Sequence, residues 1–136
     1  MKTTAPYIEC LAPPNEGFGL RLHNASSVKT SKSVRDAAEN VDRLLAISVL
    51  CVSALSTILL KAITDNNTAI SAKGVEVFFY NIEEQAIYDE LRMILGQNID
   101  QEPVLILLER GNVLWSHCGT INIDVILDQI DQQFRT

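Results

Sequence analysis

The sequence has few of the residues that mark metal sites and redox motifs. Its 136 residues contain only two histidines and three cysteines, Cys10, Cys51 and Cys118, with no C-x-x-C pair. A structural zinc site needs four well-placed ligands, and the spacing offers no such set. A phosphate-binding loop, a dinucleotide glycine pattern and a Ser-His-Asp signature are also missing. We therefore expect no metal and no other cofactor.

Long apolar segments are missing too, and this bears on location. The longest uncharged stretch, from Leu44 to Leu60, contains three serines and a threonine, so it does not predict a membrane span. The first residues lack the apolar region of a secretory signal. The sequence thus predicts a cytoplasmic protein with no membrane contact.

Basic residues are scarce in the second half of the chain. Residues 1–73 carry eight Lys or Arg against six Asp or Glu, whereas residues 74–136 carry three against eleven. This acidic half argues against nucleic acid as a partner. Such a surface is usually a solvated face, and it would also suit docking of a basic partner.

Length and composition fit one domain preceded by an arm. A chain of this size with 47% hydrophobic residues can bury a core without disulfides or metals. Residues 1–17 lack periodicity and contain three prolines, Pro6, Pro13 and Pro14. We therefore expect a flexible N-terminal arm over 1–17 and a single domain over 18–136.

Strand and helix patterns alternate through the predicted domain. A weak alternation over residues 18–23 predicts an edge strand, followed by a polar linker and a short helix. Residues 44–50 and 75–80 are apolar on both faces, as central strands are. A helical spacing of apolar residues follows each of these strands. Leu55 lies in the apolar stripe of the helix predicted after residues 44–50. A hairpin and a last helix complete the order β-α-β-α-β-α-β-β-α, which predicts an α/β fold with helices on both sheet faces.

Three segments of the C-terminal half follow one another in a distinctive order: VEVFFYNIEEQ, EPVLILLERGNVLWSHCG and IDVILDQIDQQF. They read as a strand with an Asn-Ile-acidic turn, a helix, a proline at a strand start, a hairpin, a glycine and a final helix. This succession resembles the C-terminal half of thioredoxin. Extended backwards, the resemblance covers roughly residues 18–134. It implies a thioredoxin-like three-layer α/β/α fold with a central mixed sheet.

The resemblance also implies where a functional site would lie. Pro103 falls where thioredoxin-fold proteins carry a cis-proline, so the Glu102–Pro103 bond is expected to be cis. Gly119 matches the family's glycine before the last helix. By length, Ser53 and Ser56 fall at the two cysteines of the family's Cys-x-x-Cys motif.

These positions lack the groups of the dithiol reaction. A serine hydroxyl neither attacks a disulfide nor resolves a mixed disulfide. Ile47 falls where the family has a buried acid that accepts a proton, so the proton relay is missing as well. We therefore expect a redox-inactive thioredoxin-fold protein.

Such a protein would act through protein–protein or peptide binding, as an assembly factor, an adaptor or a regulatory module. In the family, the backbone beside the cis-proline pairs with bound peptide, a form of strand addition. An acidic residue beside that proline favours a basic or polar partner. The pattern assigns no oligomeric state. The predicted binding residues are Ser53, Ser56, Glu102, Pro103, Val104 and Gly119.

A reactive thiol is the alternative. Cys51 lies two residues before Ser53, and a register shift of two would place it at the start of a helix, where thiols become more acidic. The protein would then be a single-cysteine thiol–disulfide oxidoreductase or a peroxidase-type enzyme. The competing interpretation is a structural cysteine. His117 and Cys118 are neighbours in a strand, point to opposite faces and make a poor catalytic pair.

A second, weaker resemblance concerns the first strand and helix. GLRLHNASS and SVRDAAENVDRLL are similar to the opening strand-loop-helix of the circadian-clock KaiB family. The two layouts differ over residues 96–134. A β-hairpin followed by a helix there would favour the thioredoxin layout.

Overall fold

A five-stranded mixed sheet forms the centre of the computed structural model, which describes residues 4–11 and 19–135. The described strands are β1 (Tyr7–Cys10), β2 (Leu20–His23), β3 (Val28–Lys29), β4 (Arg43–Val49), β5 (Val75–Asn81), β6 (Val104–Glu109) and β7 (Asn112–Cys118). The strand order in the central sheet is β3-β5-β4-β6-β7; β3, β5 and β4 run parallel, β6 pairs antiparallel with β4, and β7 pairs antiparallel with β6.

Helices cover both faces of this sheet. They are α1 (Val34–Asn40), α2 (Ala54–Asp65), α3 (Asn67–Ser71), α4 (Gln85–Leu95) and α5 (Ile123–Gln133). Side chains of α2, α3 and α5 pack into one apolar core, and those of α1 and α4 pack into a second core on the opposite face. This is the expected three-layer α/β/α arrangement. Within the described parts of the chain, every helix is too short or too polar to cross a lipid bilayer.

The central strands are the ones with continuous apolar sequence. Residues 44–49 of β4 and 104–108 of β6 are buried throughout, and in β5 only Glu76 is partly exposed. Because helices cover both faces, alternate positions of each strand all meet apolar neighbours. The pattern of apolar runs therefore located the middle of the sheet correctly.

The C-terminal third has the layout expected of a thioredoxin-like fold. Strands β6 and β7 form an antiparallel hairpin, and α5 follows it. Asn122 starts α5, its side chain accepting a hydrogen bond from the Asp124 amide. A hairpin followed by a helix favours the thioredoxin layout over that of the clock family.

The first predicted strand belongs to a different sheet. Leu20–His23 is β2, which pairs with β1 in a separate two-stranded sheet, and Phe18 lies outside the described residues. The edge strand of the central sheet next to β5 is Val28–Lys29, inside the segment expected to be a polar linker. Two residues are too few to show a period, and the pairing of Val28 with Val77 defines this strand.

Part of the predicted arm is ordered in the same two-stranded sheet. Tyr7–Cys10 forms β1, and the Tyr7 ring stacks on His23 with centroids 4.5 Å apart. Cys10 forms a disulfide with Cys51, with the two Cα atoms 5.7 Å apart. Residues 1–3 and 12–17 of the arm lie outside the described residues. This strand was not predicted, because it has only four residues and because its apolar residue Ile8 is only partly buried against the core.

We predict that losing the disulfide destabilises the fold. The bond joins residues 41 apart, and cross-links of this span lower the entropy of the unfolded chain. Cys10→Ser should reduce the free energy of unfolding by about 2–4 kcal/mol, measured by urea denaturation. Cys118→Ser is the matched control. Equal midpoints for Cys10→Ser and the control would contradict the prediction.

Candidate functional site

The turn between β4 and α2 places both predicted serines. Ser53 is the N-cap of α2, and its hydroxyl accepts a hydrogen bond from the Leu55 amide at 3.2 Å. Ser56 is buried, and its hydroxyl donates to the Leu50 carbonyl at 2.7 Å. Both hydroxyls therefore stabilise the turn and the first turn of the helix.

The proline segment lies beside this turn through sheet pairing. Val104 pairs with Ser48, near the end of β4, and with Cys118 on its other side. The Glu102–Pro103 bond is cis, as the resemblance implied. The Gly119 amide donates to the Pro103 carbonyl at 2.9 Å, with Gly119 at a φ of 108° that favours glycine. Strand register thus brings the predicted residues to one end of the sheet.

An apolar groove of about 260 Å³ opens at this end. Two of its side chains project from α2 and are largely exposed, Leu55 at 53% and Ile58 at 64%. Leu55 was expected in the apolar stripe of α2, but it lies to the side of the buried face of that helix, which consists of Ser56, Leu59, Leu60 and Ile63. The groove is lined by Leu55, Ile58, Leu59, Ala62, Pro103, Thr120, Ile121, Asn122 and Ile123.

The groove includes only part of the predicted binding set. Pro103 lines it, while Ser53, Ser56, Glu102, Val104 and Gly119 do not. Glu102 is exposed next to it, and Val104 is fully buried in the sheet. The apolar groove residues on α2 were missed, although Leu55 and Ile58 have the i, i+3 spacing that places side chains on one helix face.

The disulfide lies at the same end of the sheet. Cys51 is two residues from the Ser53 cap and is 5% exposed, whereas Cys10 is exposed on β1. The alternative hypothesis, in which Cys51 acts as a single free thiol, is therefore wrong, because Cys51 is bonded to Cys10. Cys10 was missed because residues so far apart in sequence carry no local signal of pairing, and three cysteines allow several connectivities.

The third cysteine has a different environment. Cys118 is the free thiol among the three cysteines, all of which lie in the described segments. Burial, and secondarily the negative charge of Asp100, raise the pKa of the Cys118 thiol. His117 stacks on Trp115 with ring centroids 6.1 Å apart, while Cys118 packs against the core on the α1 and α4 side. The two neighbours thus point apart, as expected.

Within residues 4–11 and 19–135, His, Cys, Asp and Glu side chains form no group of three or more that could hold a metal ion. A larger cavity of about 610 Å³ lies near the hairpin loop and includes Arg35 and Arg110, but it contains no cysteine.

Comparisons with known proteins agree on the fold. The structure is similar to a mutant thioredoxin from Halobacterium salinarum, with a TM-score of 0.61 and 15% identity over 82% of this chain and 95% of that one. It is similar to mitochondrial thioredoxin 3 from Saccharomyces cerevisiae, with a TM-score of 0.61 and 12% identity over 79% and 97%. It is also similar to oxidised thioredoxin from Plasmodium falciparum, with a TM-score of 0.62 and 11% identity over 79% of this chain and 99% of that one.

Sequence comparisons add nothing to this. No protein-family model and no curated protein sequence matches the chain. The structural likeness shows that this chain has a thioredoxin-like fold. At such low identity it shows the fold and not the activity.

We predict slow alkylation of Cys118. In the oxidised protein, iodoacetamide should label this thiol more slowly at pH 8 than it labels an unperturbed thiol, because a raised pKa leaves less thiolate. The rate should rise with pH and should rise at fixed pH in Asp100→Asn, which removes the repelling charge. Mass spectrometry measures both rates. Labelling as fast as a model thiol would contradict this.

Proposed function

We propose that the protein carries out thiol–disulfide exchange with Cys10 and Cys51 as the exchanging pair. The observation that supports this is the disulfide at the end of β4, where one partner is exposed and the other is buried. The expectation of a redox-inactive protein rested on Ser53 and Ser56 in place of cysteines. A second sulfur reaches Cys51 from β1 instead, so a dithiol couple is available without the motif.

The reaction balances as a two-electron exchange with another polypeptide. When the Cys10–Cys51 bond is reduced, a partner dithiol is oxidised to a disulfide, and two protons move with the two electrons. The reverse reaction reduces a partner disulfide. Ile47 supplies no carboxylate, so protons would enter from solvent at the exposed Cys10 side.

A reversible disulfide also fits the predicted location. Persistent structural disulfides are rare in the cytoplasm, and those that occur there are usually transient and catalytic or redox-sensing. The cytoplasm remains our prediction for this chain, with a protein or peptide partner.

Insulin reduction tests the exchange activity. With dithiothreitol as the electron source, the reduced protein should accelerate insulin precipitation, measured as turbidity. Cys10→Ser and Cys51→Ser should each lower the acceleration at least about tenfold, because one sulfur cannot both attack and resolve.

Cys118→Ser serves as the control for that assay. It should retain the activity, since the third thiol does not enter the reaction. An acceleration that survives the loss of Cys10, or a wild-type protein with none, would rule out this function.

Polypeptide binding in the apolar groove is the second candidate function. Leu55 and Ile58 expose apolar surface beside Pro103. Contact of this surface with water is unfavourable, and an extended apolar segment bound in the groove would bury it. Glu102 is exposed next to the groove and would attract a cationic side chain. Binding and exchange are compatible, because a polypeptide in the groove would contact α2, the helix that follows Cys51.

Paired peptides test this second function. A fluorescent extended apolar peptide with one lysine should bind more tightly than its twin with glutamate, measured by anisotropy. Glu102→Lys should reverse the preference through charge. Ile58→Asp should weaken both peptides about tenfold, because apolar burial is lost. Met93→Asp, a similarly exposed residue on α4, is the control. Equal effects of the two aspartates would contradict groove binding.

A further inference from the structure

We infer that exchange at this disulfide is one-sided: the incoming thiolate attacks Cys10, and Cys51 is the leaving and resolving sulfur. This inference rests on the proposed exchange function and adds the role of each cysteine. The attacked sulfur lies on β1, which is outside the central sheet and precedes the domain predicted over residues 18–136.

Access to the two sulfurs is unequal. Attack on a disulfide needs an approach to the sulfur along the S–S axis, so the reachable sulfur reacts. Cys51 is 5% exposed and packs in the apolar core with side chains of α2 such as Leu59. Cys10 lies on β1, which has β2 as its one strand neighbour within the described residues. An approaching thiolate therefore meets Cys10 first.

The first step forms a mixed disulfide on Cys10. The bond between the substrate sulfur and Cys10 Sγ forms, the Cys10–Cys51 bond breaks, and its electron pair leaves on Cys51 Sγ. A thiolate in an apolar core loses hydration, so the leaving sulfur takes up a proton that the attacking thiol gave to solvent. A second thiol of the substrate then attacks the substrate sulfur and releases Cys10 as a thiolate. In the reverse direction the Cys10 thiolate attacks a substrate disulfide, and Cys51 resolves the mixed disulfide by re-forming its bond to Cys10 Sγ and releasing the second substrate thiol.

The strand that carries Cys10 stays attached after this step. β2 is anchored by Leu20, which is 2% exposed, and by Asn81, whose side-chain amide donates to the Gly19 carbonyl at 3.2 Å. β1 pairs with β2 over four residues, and the Glu9 carboxylate bonds His23 at 2.8 Å. The adduct on Cys10 therefore remains near Cys51, which gives the buried thiol a high effective concentration for resolution.

The substrate class follows from this geometry. An exposed strand with a free approach accepts a cysteine in a flexible or extended polypeptide segment, and a second cysteine of that polypeptide completes the exchange. A thiol recessed in a folded surface would not reach Cys10.

Adduct mapping on the oxidised full chain tests the inference. The protein is treated briefly with isotope-labelled glutathione, quenched in acid, alkylated with N-ethylmaleimide and digested with trypsin. The chain suits this design, because cleavage after Arg21, Arg43, Lys61 and Arg110 leaves the three cysteines in separate peptides.

Glutathione should appear on the Cys10 peptide and N-ethylmaleimide on the Cys51 peptide, with at least about tenfold excess over the reverse pattern at early times. Equal or greater glutathione on Cys51 would overturn the inference and leave the exchange function standing. Absence of any adduct at either cysteine would overturn both.

Single-cysteine variants give an independent measurement. In a Cys118→Ser background, oxidised glutathione should modify Cys51→Ser, which retains Cys10, at least about tenfold faster than Cys10→Ser, which retains Cys51. Circular dichroism spectra like that of the wild-type protein would verify that both variants are folded. Equal rates in two folded variants would also overturn the one-sided assignment.

Discussion

The burial of β4 is the constraint on which the rest of the structure depends. Its residues from Leu44 to Val49 are buried between two helical layers, so each face must meet its own set of apolar partners. A shift of the strand by one residue would exchange those faces, and its register is therefore strongly specified. The end of β4 is thus held in place, and with it the turn to α2 and the paired segment after Pro103.

That turn uses its hydroxyl groups for structure. Ser53 caps α2 and Ser56 bonds the Leu50 carbonyl, so the two positions expected to lack redox chemistry still hold the shape of the site. Under the proposed function, sulfur chemistry comes from a different pair. Cys51 precedes the cap within the turn, and β1 brings Cys10 to it from outside the central sheet.

The proposed activities meet at α2. The strand with Cys10 contacts this helix, and the apolar groove beside Pro103 is lined by its exposed residues Leu55 and Ile58. A polypeptide bound in the groove would contact α2, the helix that begins just after Cys51. Apolar contact would then select extended polypeptides, while the disulfide would react with their thiols.

Local patterns in the sequence determined the framework. Runs of apolar residues located β4, β5 and β6, helical spacing located α2 and α4 between them, and the order of these elements defined the thioredoxin-like layout with Pro103 beside the turn. Each of these signals depends on near neighbours in the chain, and a single sequence carries such signals directly.

Only the tertiary structure decided the chemistry at the site. The pairing of Cys10 with Cys51 joins residues 41 apart, and it depends on β2 carrying β1 to the end of β4. The two-residue strand Val28–Lys29 exists because β5 lies beside it, and Leu55 is exposed because it lies outside the face of α2 that packs into the core. Contacts between distant segments leave no periodicity in the sequence, so their partners become known only when the chain is folded.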